Sequence, residues 1–203
     1  MDKKNHWEKV YTTKQPNEVS WTQEIPKSSL DFIYNFNLPK DASIIDIGGG
    51  DSNLVDHLLE AGYTNVTVLD ISQSALDRTK KRLGDKAEQV TWIASDITEF
   101  KPSVSYDLWH DRATFHFLTQ EREIQYYTDI ATDAISKYMV IVTFSLDGPQ
   151  KCSGLEIKQY SEESLQETLT KSFEKIRCKD EVHVTPFQTE QKFVFCSFKK
   201  KSN

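Results

Sequence analysis

The residues best able to do chemistry gather in "SIIDIGGGDSNLVDHLLEAGYTNVTVLDIS", Ser43 to Ser72. An apolar run ends in Gly48, Gly49 and Gly50, an amphipathic segment follows, and a second apolar run ends in Asp70. Glycines permit positive φ and let a ligand approach the backbone with no Cβ in the way. An acid about 20 residues beyond such a turn can accept both hydroxyls of a ribose. That pairing predicts a nucleoside site and is far more specific than a glycine run alone. A second group, "HDRATFHF" from His110 to Phe117, places a base, a carboxylate and a guanidinium side by side. His110 can act as a base, Asp111 can orient an amine or take its proton, and Arg112, which cannot act as a base, can clamp an anion.

These residues need a scaffold, and hydrophobic periodicity supplies one. It predicts strands over Ser43–Ile47, Val66–Asp70, Val90–Ala94, Tyr106–His110 and Tyr138–Ser145. Helices fall over Asn53–Ala61, Gln73–Leu83 with Ser72 as cap, Gln120–Ser136 and Glu162–Leu169. Strands separated by helices imply right-handed crossovers and a parallel sheet covered on both faces. The closing runs "EKIRCKDEVHV" and "QKFVFCSF", joined by "TPFQTE", predict an antiparallel hairpin at one edge. The expected fold is thus α/β: a doubly wound, Rossmann-like, mostly parallel seven-stranded sheet with an antiparallel C-terminal hairpin. Residues 1–40, with "HWEKVY" and "SWTQEIP", are expected to form a helical lid across the mouth of a core spanning 41–203.

At 203 residues the chain suits one domain. A net charge of −6 and the lack of a basic stripe argue against nucleic-acid binding. The N-terminus has no apolar stretch of the export type, and "YMVIVTF" is far too short for a membrane span, so a cytoplasmic protein is expected. Cys152, Cys178 and Cys196 are odd in number and widely spaced. Unpaired thiols in a reducing compartment, with no metal site, are the simpler reading.

The glycine loop departs from the dinucleotide fingerprint, because Asn53 stands where a third small residue is needed. "IIDIGGGDS", with Asp46 two residues before the glycines, instead resembles the first motif of the class I S-adenosylmethionine-dependent methyltransferases. Ser52 replaces that motif's last glycine and can cap the next helix. "VTVLDIS" resembles the second motif, "WIASDITEF" the third and "YDLWHDRATFHFLT" the fourth. The resemblance implies that Asp46, Gly48, Gly49, Gly50, Asp51 and Asn53 cradle the donor. It also implies that Asp70 holds the ribose, Ile71 and Ile97 pack on the adenine, Asp96 meets its amino group, and His110 lies beside the methyl. "HWEKVYTTKQPNEVSWTQ" and "WHDRATFHFL" resemble small bacterial methyltransferases and, more distantly, thiopurine and protein-lysine methyltransferases.

Methyl transfer from a sulfonium is an in-line displacement that rests on alignment and exclusion of water; a base is needed only when the acceptor must lose a proton. His110, Asp111 and Arg112 are the catalytic candidates. Alternatively, His110 and Asp111 only line the cofactor, and Arg112 sits in a structural ion pair. Trp21 is expected to touch cofactor or substrate, Trp7 and Tyr11 to dock their helix. His116 reads as a core residue, and His183 as one touching only its neighbours in the hairpin. Cys152 is expected on the rim as an ordinary small residue. The expected activity is methylation of a small molecule or a protein side chain. The alternatives are a module that holds the donor or its demethylated product without turnover and, less favoured, a nicotinamide-dependent oxidoreductase. Neither the acceptor atom nor the oligomeric state is legible.

Overall fold

A computed structural model describes residues 2–202. The strands are β1 (Ile44–Ile47), β2 (Val66–Asp70), β3 (Val90–Ala94), β4 (Tyr106–Arg112), β5 (Ile135–Phe144), a small pair β6 (Lys151–Cys152) and β7 (Leu155–Glu156), then β8 (Phe173–Val184) and β9 (Glu190–Lys200). The helices are α1 (Lys3–Thr13), α2 (Lys27–Tyr34), α3 (Leu54–Glu60), α4 (Gln73–Leu83), α5 (Glu121–Ala134) and α6 (Glu162–Leu169). The main sheet has seven strands in the order β3-β2-β1-β4-β5-β9-β8. β1 to β5 pair in parallel, and β9 runs antiparallel between β5 and β8.

Local chemistry accounts for the elements. β1 and β2 are buried at every position, as strands covered on both faces must be. Ser72 accepts the Ala75 N–H to open α4, and Ser161 accepts the Ser164 N–H to open α6. Two cores form, one on each face. Trp109, Tyr127, Phe115 and Tyr160 fill the α5–α6 side, and Leu30, Ile33, Leu58, Val68 and Phe195 fill the other. No described helix is long and apolar enough to cross a membrane.

Three expectations change. The predicted helix end at 135–136 belongs to β5, which begins at Ile135 and pairs with Tyr106. Only the first part of the N-terminal segment covers the mouth of the sheet. α2 instead buries Leu30, Phe32 and Ile33 in the core, because its apolar face is continuous with that of α3. The third concerns the thiols: Cys178 and Cys196 face each other in the β8–β9 register and are joined by a disulfide.

Sequential crossovers run outward from β1 in both directions, so the order reverses between β1 and β4. In open α/β sheets that reversal leaves a crevice beyond the carboxyl ends of the strands. The carboxyl ends of β1, β2 and β4 carry the glycine loop, Asp70 and Arg112.

Candidate active site

A cleft opens at this crevice. It is lined by Asp46, Gly48, Gly49 and Asp51 from the β1 loop, by Asp70, Ile71, Asp96 and Ile97 after β2 and β3, and by His110 and Arg112 of β4. Lys3, Trp7, Tyr11 and Trp21 close it from the N-terminal side.

The glycine loop is held from behind. Gly48 adopts φ +67°, and a Cβ there would fall 1.8 Å from Thr114 Oγ1. A Cβ on Gly50 would lie 2.5 Å from Asp70 Oδ2 and 2.7 Å from the Ala75 Cβ, so the loop can sit this close to β2 and α4 only without side chains. Asp70 accepts the Gly50 N–H at 3.0 Å and the Ser72 N–H at 2.8 Å. Burial pushes its carboxyl up to about 7 despite these hydrogen bonds from Ser72 and Gly50, and the nearby Asp46 and Glu8 add to the rise. Asp70 lines the cleft, and a carboxylate that accepts one N–H at each oxygen keeps capacity for hydroxyl donors such as those of a ribose.

β4 separates the catalytic candidates. Neighbouring residues of a strand point to opposite faces. His110 faces the cleft side, with Nδ1 2.7 Å from Asp46 Oδ1 and Nε2 2.9 Å from Ser29 Oγ, so both ring nitrogens are occupied. Asp111 does not line the cleft. Its Oδ2 accepts the Tyr127 hydroxyl at 2.8 Å, and its Oδ1 accepts the N–H groups of Thr114 and Phe115. Burial raises its carboxyl to about 6 even with Tyr127 and those two amides donating to it. The structure therefore makes Asp111 a clamp on the turn after β4, in which Ala113 takes φ 68°. Arg112 returns to the cleft side; its Nη1 donates to Trp21 O at 3.0 Å and its buried Nε has no partner. The expected ion pair is absent: no carboxylate of the described residues lies within 4.0 Å of it.

Gly50 and Asn53 do not line the cleft directly. The Asn53 amide donates to Gln23 O at 3.0 Å and Glu24 O at 3.2 Å, tying the N-terminal segment to the loop. Asp51 lines the cleft while paired with Arg78 and Arg82. Trp21 lines it as expected, and so do Trp7 and Tyr11; Trp7 packs edge-on to Trp21 and Phe117 at 5.6 and 5.2 Å between ring centroids. His116 is a core residue stacked on Phe144, and burial drives its imidazole down to about 3. Cys152 lines the cleft with a thiol that burial pushes up to about 12. His183 reaches further than its hairpin: Nε2 donates to Ser20 O at 2.7 Å, and Nδ1 lies 3.3 Å from the Gln23 amide. No sequence spacing signals that contact across 160 residues. Among the described residues no three His, Cys, Asp or Glu are arranged to hold a metal.

Known proteins match this arrangement. Residues 45–137 match the family described as a methyltransferase domain. The eEF1A lysine and N-terminal methyltransferase of Mus musculus is 24% identical over 122 residues, covering 59% of this chain and 17% of that protein. The malonyl-[acyl-carrier protein] O-methyltransferase of Anoxybacillus flavithermus is 35% identical over 83 residues, covering 40% of this chain and 31% of that protein. The chain thus spans less than a third of the length of either relative. A solved structure of a SAM-dependent methyltransferase from Anabaena variabilis superposes with a TM-score of 0.75 at 14% identity, covering 99% of this chain and 96% of that one, and shares its fold. Residues 45–137 are thus similar to a methyltransferase domain, and the chain has the fold of the solved SAM-dependent methyltransferase.

Proposed function

We propose that the chain is a single-domain methyltransferase that transfers the methyl of S-adenosylmethionine to a small molecule or a protein side chain. The observation that carries this reading is the buried Asp70 carboxylate beside the Gly48–Gly50 loop at the sheet's switch point. Asp70 holds the ribose and the Gly48–Gly49 backbone admits the donor's chain. Ile71, Asp96 and Ile97 take the adenine. Asp46, fixed by His110, faces the loop, and Asp51 and Asn53 brace its far side. Bound there, S-adenosylmethionine supplies a methyl already activated on a sulfonium.

The chain's own part is alignment and exclusion of water. Trp7, Trp21 and Phe117 wall the cleft, and the segment from Lys3 to Pro26 closes it in part. His110 has both nitrogens engaged, and Asp111 serves the turn behind the cleft. The mouth thus offers no free base, which suits an acceptor that arrives with its lone pair available. The proposal includes neither nucleic acid nor a membrane as partner, in keeping with the acidic charge. A cytoplasmic location belongs to the proposal and carries a demand: Cys178–Cys196 would there be exposed to a reducing thiol pool.

Calorimetric titration with S-adenosylmethionine, S-adenosylhomocysteine and NAD tests the reading, with Asp70→Ala as control. The expected result is micromolar binding of both sulfur ligands, none of NAD, and loss in the variant. Binding of NAD alone would refute the donor assignment.

A further inference from the structure

Resting on that donor reading, we infer that Arg112 anchors a carboxylate on the methyl acceptor, so that the acceptor is an anionic small molecule with an apolar body rather than a lysine side chain. Arg112 is the last residue of β4 and lines the cleft. One hydrogen bond, to the Trp21 carbonyl, and a buried, unpartnered Nε leave its donor set incomplete. The two carboxylates that act on it from a distance are committed elsewhere. Asp46 is bonded to His110, and Glu181 to Ser28 and Lys179. Other arginines near the glycine loop are not left this way: Arg78 pairs with Asp51, and Arg82 with Asp51 and Asp56.

A desolvated guanidinium without a counterion is costly, and its planar fork matches a carboxylate bidentately. Burial draws Arg112 down to about 10, so it keeps its charge at neutral pH. Trp7, Trp21 and Phe117 of the same cleft provide the apolar walls. A lysine ammonium would meet the opposite of what it needs. The cleft's acids are all engaged: Asp46 by His110, Asp51 by two arginines, Asp70 by two backbone amides and Asp96 by Thr98. Among the described residues of the cleft, the one charge without a counter-charge is positive; Arg112 has only the Trp21 carbonyl and the face of Phe193.

The anchored carboxylate has two conceivable sources, the acceptor and the donor's own amino-acid end, and the test separates them. Benzoate, benzamide and benzylamine are titrated by calorimetry into protein saturated with S-adenosylhomocysteine. Benzoate is expected to bind at least about tenfold more tightly than benzamide or benzylamine, the ratio of a charge-assisted hydrogen bond to its neutral counterpart. Arg112→Gln should bring benzoate down to the level of benzamide, and Arg112→Lys should restore part of the difference. In Arg112→Gln the affinities for S-adenosylhomocysteine and for 5′-methylthioadenosine, which lacks the carboxylate, should both persist. Equal binding of the three probes, or a preference for benzylamine, overturns the inference; so does a loss confined to S-adenosylhomocysteine, which would give Arg112 to the donor. If Arg112→Gln does not fold, the wild-type probe ratio decides alone. Failure of wild-type protein to bind S-adenosylhomocysteine would instead sink the donor reading itself.

Discussion

At the scale of single residues, the site turns on two buried carboxylates with different company. Asp70 is pushed up to about 7 by burial, with hydrogen bonds from Ser72 and Gly50 opposing and Asp46 and Glu8 adding to the rise. A raised carboxyl favours the folded protein fully below its ordinary value of 3.8, and that contribution is lost as pH rises through about 7. Ribose hydroxyls donate to the ionised form, so ligand binding opposes the protonation. Affinity for S-adenosylhomocysteine should therefore rise about tenfold between roughly pH 6 and 8. Calorimetry across that range checks it, and Asp70→Asn should flatten the profile. Asp111 faces the other core and depends on Tyr127. Tyr127→Phe removes one of its three donors and should cost about 1–3 kcal/mol in urea unfolding. An unchanged midpoint would mean that the Tyr127 hydroxyl adds nothing. The sequence places Asp70 at the end of β2, because one acid closing a strand is a local pattern. It does not tell His110 from Asp111, since which of two neighbours faces the cleft depends on the pairing of β4 with β1.

Among the elements, those set by local chemistry match their sequence signals: β2, β3, α4 and α6 carry the expected bounds, two of them opened by serine caps. What local signals leave open is register. The edge hairpin shows this: "TPFQTE" reads as the whole connection, whereas its last residue, Glu190, pairs with Val184. A slip of one residue would move Cys196 from opposite Cys178 and turn every side chain of β8 to the other face. The pairing instead closes a disulfide between an edge strand and its neighbour, 18 residues apart in sequence. Chain-entropy reasoning gives such a bond about 2–4 kcal/mol. Guanidinium unfolding of the oxidised protein and of the Cys178→Ser/Cys196→Ser double variant should differ by that amount. Adding reductant to the oxidised protein should reproduce most of the difference, and coincident curves would mean that the bond contributes no stability.

For the whole molecule, the question is how a cleft walled by a separate N-terminal helix admits its ligands. The polar contacts that hold α1 to the rest of the chain are few and partly exposed, while Val10 and Tyr11 are buried. Glu8 accepts the N–H groups of Gln73 at 2.6 Å and Ser74 at 3.3 Å, Lys3 pairs with Glu123 at 2.6 Å, and Trp7 rests on Trp21 and Phe117. Burial alone would raise the Glu8 carboxyl, but hydrogen bonds from Ser74 and Gln73 outweigh it and hold it below the usual range. The free N-terminal amides of α4 thus find their anion on α1, so one carboxylate both caps α4 and ties α1 to it. Elements held by few, partly exposed contacts open at the least cost and are the ones that gate ligand entry. Backbone amides of α1 should exchange with solvent faster than those of β4 and β5 in the free protein, and S-adenosylhomocysteine should slow them, because Trp7 and Tyr11 line the space it fills. Glu8→Ala should speed exchange in α1 and at the start of α4 while leaving β4 and β5 protected, and should weaken ligand binding. Mass-spectrometric hydrogen exchange resolves all three segments. Protection of α1 that ignores both the ligand and Glu8 would show a fixed wall instead of a lid, and entry would then have to run past Trp21 and Arg112.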